Sequence, residues 1–381
     1  MLRKGLPLEA ALDSAARDLA RSDDRAFAHA IAAEALRRLP DLDALIDSAT
    51  RKRLPDDAKA RFALRIALVQ ALALGTPHHA AISTVLPLVD GGPRKLVHGV
   101  FSAVMRSKHA LPEIPNLPEA VAERWREQWG DAMVADAGRA IAARPPIDLI
   151  GEPPAGVDGI SLQPGHLRVP AGTAVADLPG YEEGKWWVQD ISAAMPAQLL
   201  GAGDCRTVLD LCAAPGGKTM QLASAGWNVT AVDVSESRLA RLSQNLERTG
   251  LAAKVVAADV MTWSPPAQVD AILLDAPCSA TGIFRRHPDV LHRVRPRAIA
   301  ELAEGQAAML ARVAGWLKPG GRLVYSVCSL ERPEGEQVVG AFLDKRDDYR
   351  IEEERRLLPG RYEAEGGADS FFIALLTRLG S

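Results

Sequence analysis

Apolar residues recur at helical spacing through the first ~110 positions of the chain. Phe27, Ala30, Ile31 and Ala35 lie on one helical face, and Leu96, Val97, Val100, Phe101, Val104 and Met105 on another. Phe62, Ile66, Val69 and Leu72 form a third stripe, in a stretch that Pro55 and Asp56 open in the manner of a helix start. Several amphipathic helices joined by short turns predict an all-α bundle. A Pro-rich stretch follows, with Pro112, Pro118, Pro145, Pro146, Pro153, Pro154 and Pro164 around a helix bearing Trp125 and Trp129. Residues 126–190, with short β-like runs between Gly and Pro over 145–185, are expected to form a linker and a small irregular subdomain.

Beyond about residue 205 the period alternates between two and 3.6. Strands are predicted at Thr207–Cys212, Asn228–Val234, Lys254–Asp259, Val269–Asp275, Gly321–Ser329 and Ser370–Leu379. Helical stripes lie between them, such as Leu239, Leu242 and Leu246, or Ile299, Leu302, Met309, Leu310, Val313 and Trp316. This alternation predicts a Rossmann-like α/β domain over 191–381, with a mostly parallel sheet covered on both faces, after a helical domain over 1–125.

With 381 residues the chain is too long for one ordinary core. A net charge of −3 argues against a general polyanion coat, so any nucleic-acid contact must be local. Four scattered cysteines, Cys205, Cys212, Cys278 and Cys328, suit neither a disulfide scaffold nor a zinc clip, and no bound metal is expected. Glu9, Asp13 and Asp18 interrupt any signal-peptide core, and the uncharged stretch Ile66–Val89 holds Gly, Pro and His residues unsuited to a bilayer. A cytoplasmic monomer is expected.

Asp210-Leu-Cys-Ala-Ala-Pro-Gly-Gly-Lys-Thr219 links the first of these strands to a helix. A P-loop would need Gly at position 212, and the dinucleotide pattern of three glycines is absent. The turn therefore suits a ligand without a pyrophosphate beside it, such as the methionine end of S-adenosylmethionine. Asp233, Asp259 and Asp275 stand at successive strand ends, where open α/β sheets bind ligands; Asp233 is placed for ribose hydroxyls and Asp259 for adenine. Any one of them could instead serve as a cap or turn residue, but the run of strand-final Asp favours ligand binding. Cys278, three residues past Asp275, and Cys328 sit at the ends of two strands, each followed by Ser, whereas Cys205 and Cys212 are read as small buried apolar groups. Residues 285–297 carry five Arg, two His and one acid, a basic segment suited to phosphate contact.

Asp210–Thr219, Asp275–Gly282, Arg285–Asp289 and Tyr325–Ser329, with Trp187-Val-Gln-Asp190 and Asp369-Ser-Phe-Phe372, resemble the RsmB (Sun or Fmu) group of ribosomal RNA cytosine-C5 methyltransferases. Residues 1–110 resemble its NusB-like domain. The resemblance implies that Cys212, Ala213, Ala214, Pro215, Gly216, Gly217 and Lys218 surround S-adenosylmethionine, with Arg238, Asp233, Asp259 and Asp275 completing the cofactor site. It implies Cys328 as nucleophile, Cys278 as the thiol that helps product release, and Asp275 between cofactor and base. It also implies RNA contacts by Arg285, Arg286, His287 and Arg293, with 16S ribosomal RNA as substrate. The chain departs from the pattern at Val327, where Thr is usual, and lacks the group's Arg-x-Asn after Pro145-Pro146. Competing readings are a transfer-RNA methyltransferase, a DNA-type enzyme attacking through Cys278, and a non-catalytic RNA-binding factor.

Overall fold

The computed structural model describes residues 1–107 and 109–380. The chain packs as two units. One comprises Met1–Ala143 with Phe284–Val294, the other Arg144–Ile283 with the chain from Arg295 onward.

The first unit is helical: α1 (Leu8–Ala15), α2 (Ser22–Arg37), α3 (Leu39–Ser48), α4 (Lys59–Leu72), α5 (His78–Val85), α6 (Gly91–Ser107), α7 (Glu119–Trp129) and α8 (Asp131–Ala142). The α4 stripe packs Leu64 and Leu68 against Leu42 and Ile46 of α3 and Val97 and Phe101 of α6. Arg61 and Arg65, buried on α4, are compensated by Asp43 and Asp47. Phe27, expected on the buried face of α2, is 49% exposed; Ala33 and Leu36 are buried there instead. The helices also continue past residue 125, through α8, where a linker is expected from sequence.

The second unit opens with a small antiparallel sheet in place of an irregular subdomain. β1 (Ile147–Gly151) lies between β2 (His166–Val169) and β3 (Trp186–Val188). Inside it, the Asp148 carboxylate accepts both arms of Arg168 (2.6 and 2.9 Å) and the amide of Ile191. Burial opposes the charge of Asp148, yet these hydrogen bonds and His166 hold the carboxyl well below its ordinary range. The bond to Ile191 ties this sheet to α9 (Ile191–Gln198), the first helix of the α/β body.

The main sheet runs β4 (Thr207–Leu211), β5 (Asn228–Asp233), β6 (Lys254–Ala257), β7 (Val269–Asp275), β8 (Leu317–Val327), β9 (Tyr349–Leu357) and β10 (Phe371–Arg378) along the chain. Its spatial order is β6-β5-β4-β7-β8-β10-β9, parallel from β6 to β8, with β10 and β9 antiparallel. Helices α10 (Gly217–Ser224), α11 (Glu236–Thr249), α13 (Pro296–Ala314) and α14 (Glu336–Leu343) connect the strands. Leu209, Leu211, Ile272, Leu274, Leu323 and Tyr325 are among the residues of one core layer, and Leu310 and Val313 of α13 cover it. The chain crosses to the other side between β4 and β7, so ligands are expected at the carboxyl ends of these strands.

Candidate active site

The turn after β4 forms the first wall. Cys212 has φ +60° and Gly216 φ +106°, and a Cβ at Gly216 would come within 2.8 Å of Leu242. The Asp233 carboxylate, 2% exposed at the end of β5, accepts the amides of Ala214 (3.1 Å) and Ser235 (2.9 Å). Arg238 donates to the carbonyl of Ala214. The loop is thus held at one residue from both sides. Asp259 lies two positions beyond β6, exposed, with its carboxylate accepting the amide of Met261 at 2.8 Å. Asp233, Arg238, Asp259, Pro277 and Met309 line a small cavity of about 80 Å³. A second cavity of about 410 Å³ is lined by Ala213, Ala214, Gly217, Lys218, Asp275 and Gln189, among others. Cavities of this size hold small-molecule cofactors, and the glycine-formed cradle with flanking carboxylates fits an adenosine-bearing sulfonium.

Lys218, named in the sequence as a loop residue, has a further partner. Its Nζ donates to Asp275 Oδ2 at 2.8 Å, while Ser326 Oγ donates to Asp275 Oδ1 at 2.7 Å. Burial would lower the lysine pKa, but Asp275, Asp210 and the neighbouring Cys328 raise it, so the ammonium keeps its proton. Asp275 is thus held between a charged ammonium and a hydroxyl. Asp210, fully buried below the loop, accepts Thr219 Oγ1 at 2.5 Å, and burial pushes its carboxyl up to about 7.

The decisive contact joins two strands. Cys278, after β7, and Cys328, after β8, bring their Sγ atoms to 3.5 Å. The hydrogen bond to Cys328, then burial, holds the Cys278 thiol well above its ordinary value. A thiol raised in this way is the poorer nucleophile of the pair. Cys212 is no competitor, because burial and nearby carboxylates push its thiol up to about 12. Cys205, expected to be buried, is exposed in the turn before β4.

Gly282 locks the two cysteine turns together. Its amide donates to the Cys328 carbonyl (3.0 Å) and its carbonyl accepts the Ser370 amide (2.9 Å). A Cβ there would come within 2.1 Å of the Ser370 carbonyl oxygen and 2.9 Å of that of Cys328. Gly282→Ala is therefore expected to cost about 2–3 kcal/mol, lowering the melting temperature by several degrees in a thermal scan. Two outlying motifs find their place here as well. Asp190 caps α9 through Ser192 and also accepts the Asp369 amide, and Phe371 presents its ring 5.5 Å from Lys218 Nζ.

The basic segment behaves differently from its expected role. Phe284–Val294, including α12 (Val290–Arg293), packs with the helical unit. Arg285 is 2% exposed, and its main-chain carbonyl accepts a hydrogen bond from Arg37. His292 meets the Leu36 carbonyl at 2.7 Å, and burial lowers the His287 pKa, favouring the uncharged ring. Arg293 pairs with Asp289 at 2.8 Å. Arg286 and Arg293 retain partial exposure.

Residues 197–377 match the family model described as 16S rRNA methyltransferase RsmB/F, and residues 1–106 match the NusB family. Ribosomal RNA small subunit methyltransferase B of Erwinia tasmaniensis is 35% identical over 90% of this chain and 88% of its own length. The chain belongs to the ribosomal RNA small subunit methyltransferase B family. Membership makes it an S-adenosylmethionine-dependent RNA methyltransferase with a NusB-type helical domain. The crystal structure of NSun6 from Pyrococcus horikoshii with SFG is 27% identical, with a TM-score of 0.50 over 56% of this chain and 60% of that one. A methyltransferase homologue from the same organism shares the fold, with a TM-score of 0.57 and 23% identity over 72% of this chain and 97% of that one. Among the described residues, no helix is long and apolar enough to cross a membrane.

Proposed function

We propose that the enzyme methylates C5 of a cytosine in 16S ribosomal RNA, with the two facing cysteines in separate roles. The observation that carries this reading is the 3.5 Å contact between Cys278 and Cys328, and the raised pKa of Cys278 favours Cys328 as the attacking thiol. C5 of cytosine is too weak a nucleophile to attack a methyl group unaided. Addition of the Cys328 thiolate to C6 forms an S–C6 bond and moves an electron pair toward N3, leaving C5 enamine-like. Lys218 and Asp275 supply a shared proton for the developing charge at N3. S-adenosylmethionine supplies the electrophilic methyl carbon when bound and is released as its thioether, S-adenosylhomocysteine. A solvent base then takes the C5 proton, the C5–H electrons re-form the C5=C6 bond, the S–C6 bond breaks with Cys328 leaving as thiolate, and N3 returns its proton to the Lys218–Asp275 pair. The protonated Cys278, in contact with that sulfur, supports the departing thiolate.

A paired base is closed to this attack, so the target cytosine must be single-stranded or flipped out. Arg286 and Arg293 remain the members of the basic segment assigned to RNA contact. A ribosomal substrate places the reaction in the cytoplasm. The raised pKa of the Cys278 thiol speaks against the DNA-type reading, in which Cys278 would attack.

Asp233, with the small cavity beside it, is assigned to the cofactor ribose. Asp233→Asn keeps an acceptor for the Ala214 amide but loses the charge. It is expected to raise the S-adenosylmethionine Kd about 10- to 100-fold in titration calorimetry; an unchanged Kd would remove Asp233 from the cofactor site. The function itself is tested by bisulfite mapping of 16S RNA incubated with the enzyme and S-adenosylmethionine. One new protected cytosine is expected, and none would refute the assignment.

A further inference from the structure

Beneath the two thiols, the turns that carry them converge on a carboxylate that the mechanism above does not use. Glu334 lies in the short 3₁₀ turn after β8 and is completely buried. Its Oε1 accepts the Ser279 amide (2.8 Å) and Gln306 Nε2 (3.1 Å); its Oε2 accepts the hydroxyls of Ser279 and Ser329, both at 2.5 Å. Ser279 directly follows Cys278, and Ser329 directly follows Cys328. The two hydroxyls are themselves 3.2 Å apart. Tyr325 donates to the Glu334 carbonyl at 2.6 Å, and Gln306 also donates to the Pro277 carbonyl, on the other side of Cys278.

A buried carboxylate whose hydrogen bonds come from neutral groups is an expensive way to fill space. Its distinguishing property is acceptor capacity: two oxygens can take four donors from separate segments, whereas a glutamine of the same shape has one acceptor oxygen. Here those donors come from both cysteine turns and from α13. The negative charge has a second effect. After the Cys328 hydrogen bond, burial and Cys328 itself, Glu334 adds to the influences that keep Cys278 protonated.

We propose that Glu334 is a positioning residue for methyl transfer, its carboxylate tying the turn after Cys278 to the turn after Cys328 and so setting the spacing of the two thiols. The catalytic part of this inference rests on the two-thiol reading above. Ser329 is the strap for the nucleophile, and Ser279 is the strap for the thiol that supports release. Loss of one strap should therefore affect one half of the reaction.

The test measures formation and decay of the covalent RNA adduct separately, by rapid quench and denaturing gels. Ser329→Ala should slow adduct formation about tenfold, and Ser279→Ala should slow adduct decay about tenfold, so that adduct accumulates. Glu334→Gln should slow both, with the S-adenosylmethionine Kd within about twofold of the parent. A substrate-free readout is capture of phenylarsine oxide, a trivalent arsenical that bridges two close thiols. The parent should bind it, Cys278→Ala and Cys328→Ala should not, and Glu334→Gln should bind it about tenfold more slowly. Parent-like adduct kinetics and arsenical capture in Glu334→Gln would overturn the proposal. Should Glu334→Gln fail to fold, the serine variants decide: equal slowing of both steps by either one would mean general packing and would overturn it too. If the parent captures arsenical but forms no RNA adduct, the two-thiol chemistry fails while the tethering by Glu334 is still read by the arsenical.

Discussion

Cys328→Ala should abolish methyl transfer and the covalent RNA complex together, with turnover falling by roughly 10⁴-fold or more. Cys278→Ala should slow turnover but leave attack intact, so that protein–RNA adduct accumulates on a denaturing gel in the presence of S-adenosylmethionine. The asymmetry follows from the sulfur pair. Cys278 keeps its proton because it hydrogen-bonds Cys328 and is buried, and a protonated thiol is a poor nucleophile. Both variants should bind the cofactor normally, since neither sulfur lines either cavity assigned to it. The reverse pattern, with adduct in Cys328→Ala and none in Cys278→Ala, would transfer the nucleophile to the other strand.

The second large effect is expected at Asp275. Its two oxygens are divided between Lys218 and Ser326, so Asp275→Asn retains the shape but removes the charge that balances the ammonium. The single-turnover methylation rate should drop about 10²- to 10³-fold, because the shared proton at the target ring is lost. The same substitution removes the chief influence that raises the Lys218 pKa, leaving burial, which lowers it, less opposed. In the parent, lowering the pH leaves Lys218 charged. In Asp275→Asn, a lower pH should recover part of the rate by reprotonating the amine. A rate within about threefold of the parent would show that the pair does not serve the chemistry.

Local patterns carried much of this architecture. The parallel strands were visible as short apolar runs because both faces of that sheet are covered. Strand-final Asp233 and Asp275, and the cysteines after β7 and β8, were legible because a residue's place at a strand end is a local property. Strand β9 was not, since it is an edge strand whose Arg350, Glu352, Glu353, Glu354, Arg355 and Arg356 read as a polar loop. The small sheet was legible only as short β-like runs, because strands of three to five residues between Gly and Pro turns carry too little pattern to show their pairing. Long-range pairings left no trace in the sequence pattern: Lys218 with Asp275, and Glu334 with two serines fifty positions apart. The basic segment misled for a related reason. Charge suggests exposure, yet Arg285 is buried and its carbonyl receives a hydrogen bond from Arg37 of α2.

The most direct measurement uses RNA in which the target cytidine carries fluorine at C5. Fluorine cannot leave as a proton does, so a base attacked at C6 and methylated at C5 stays bonded to the attacking sulfur. After protease and nuclease digestion, peptide mass spectrometry should find the nucleotide on Cys328. Attachment to Cys278, or no attached nucleotide with enzyme, cofactor and RNA all present, would contradict the covalent mechanism placed here.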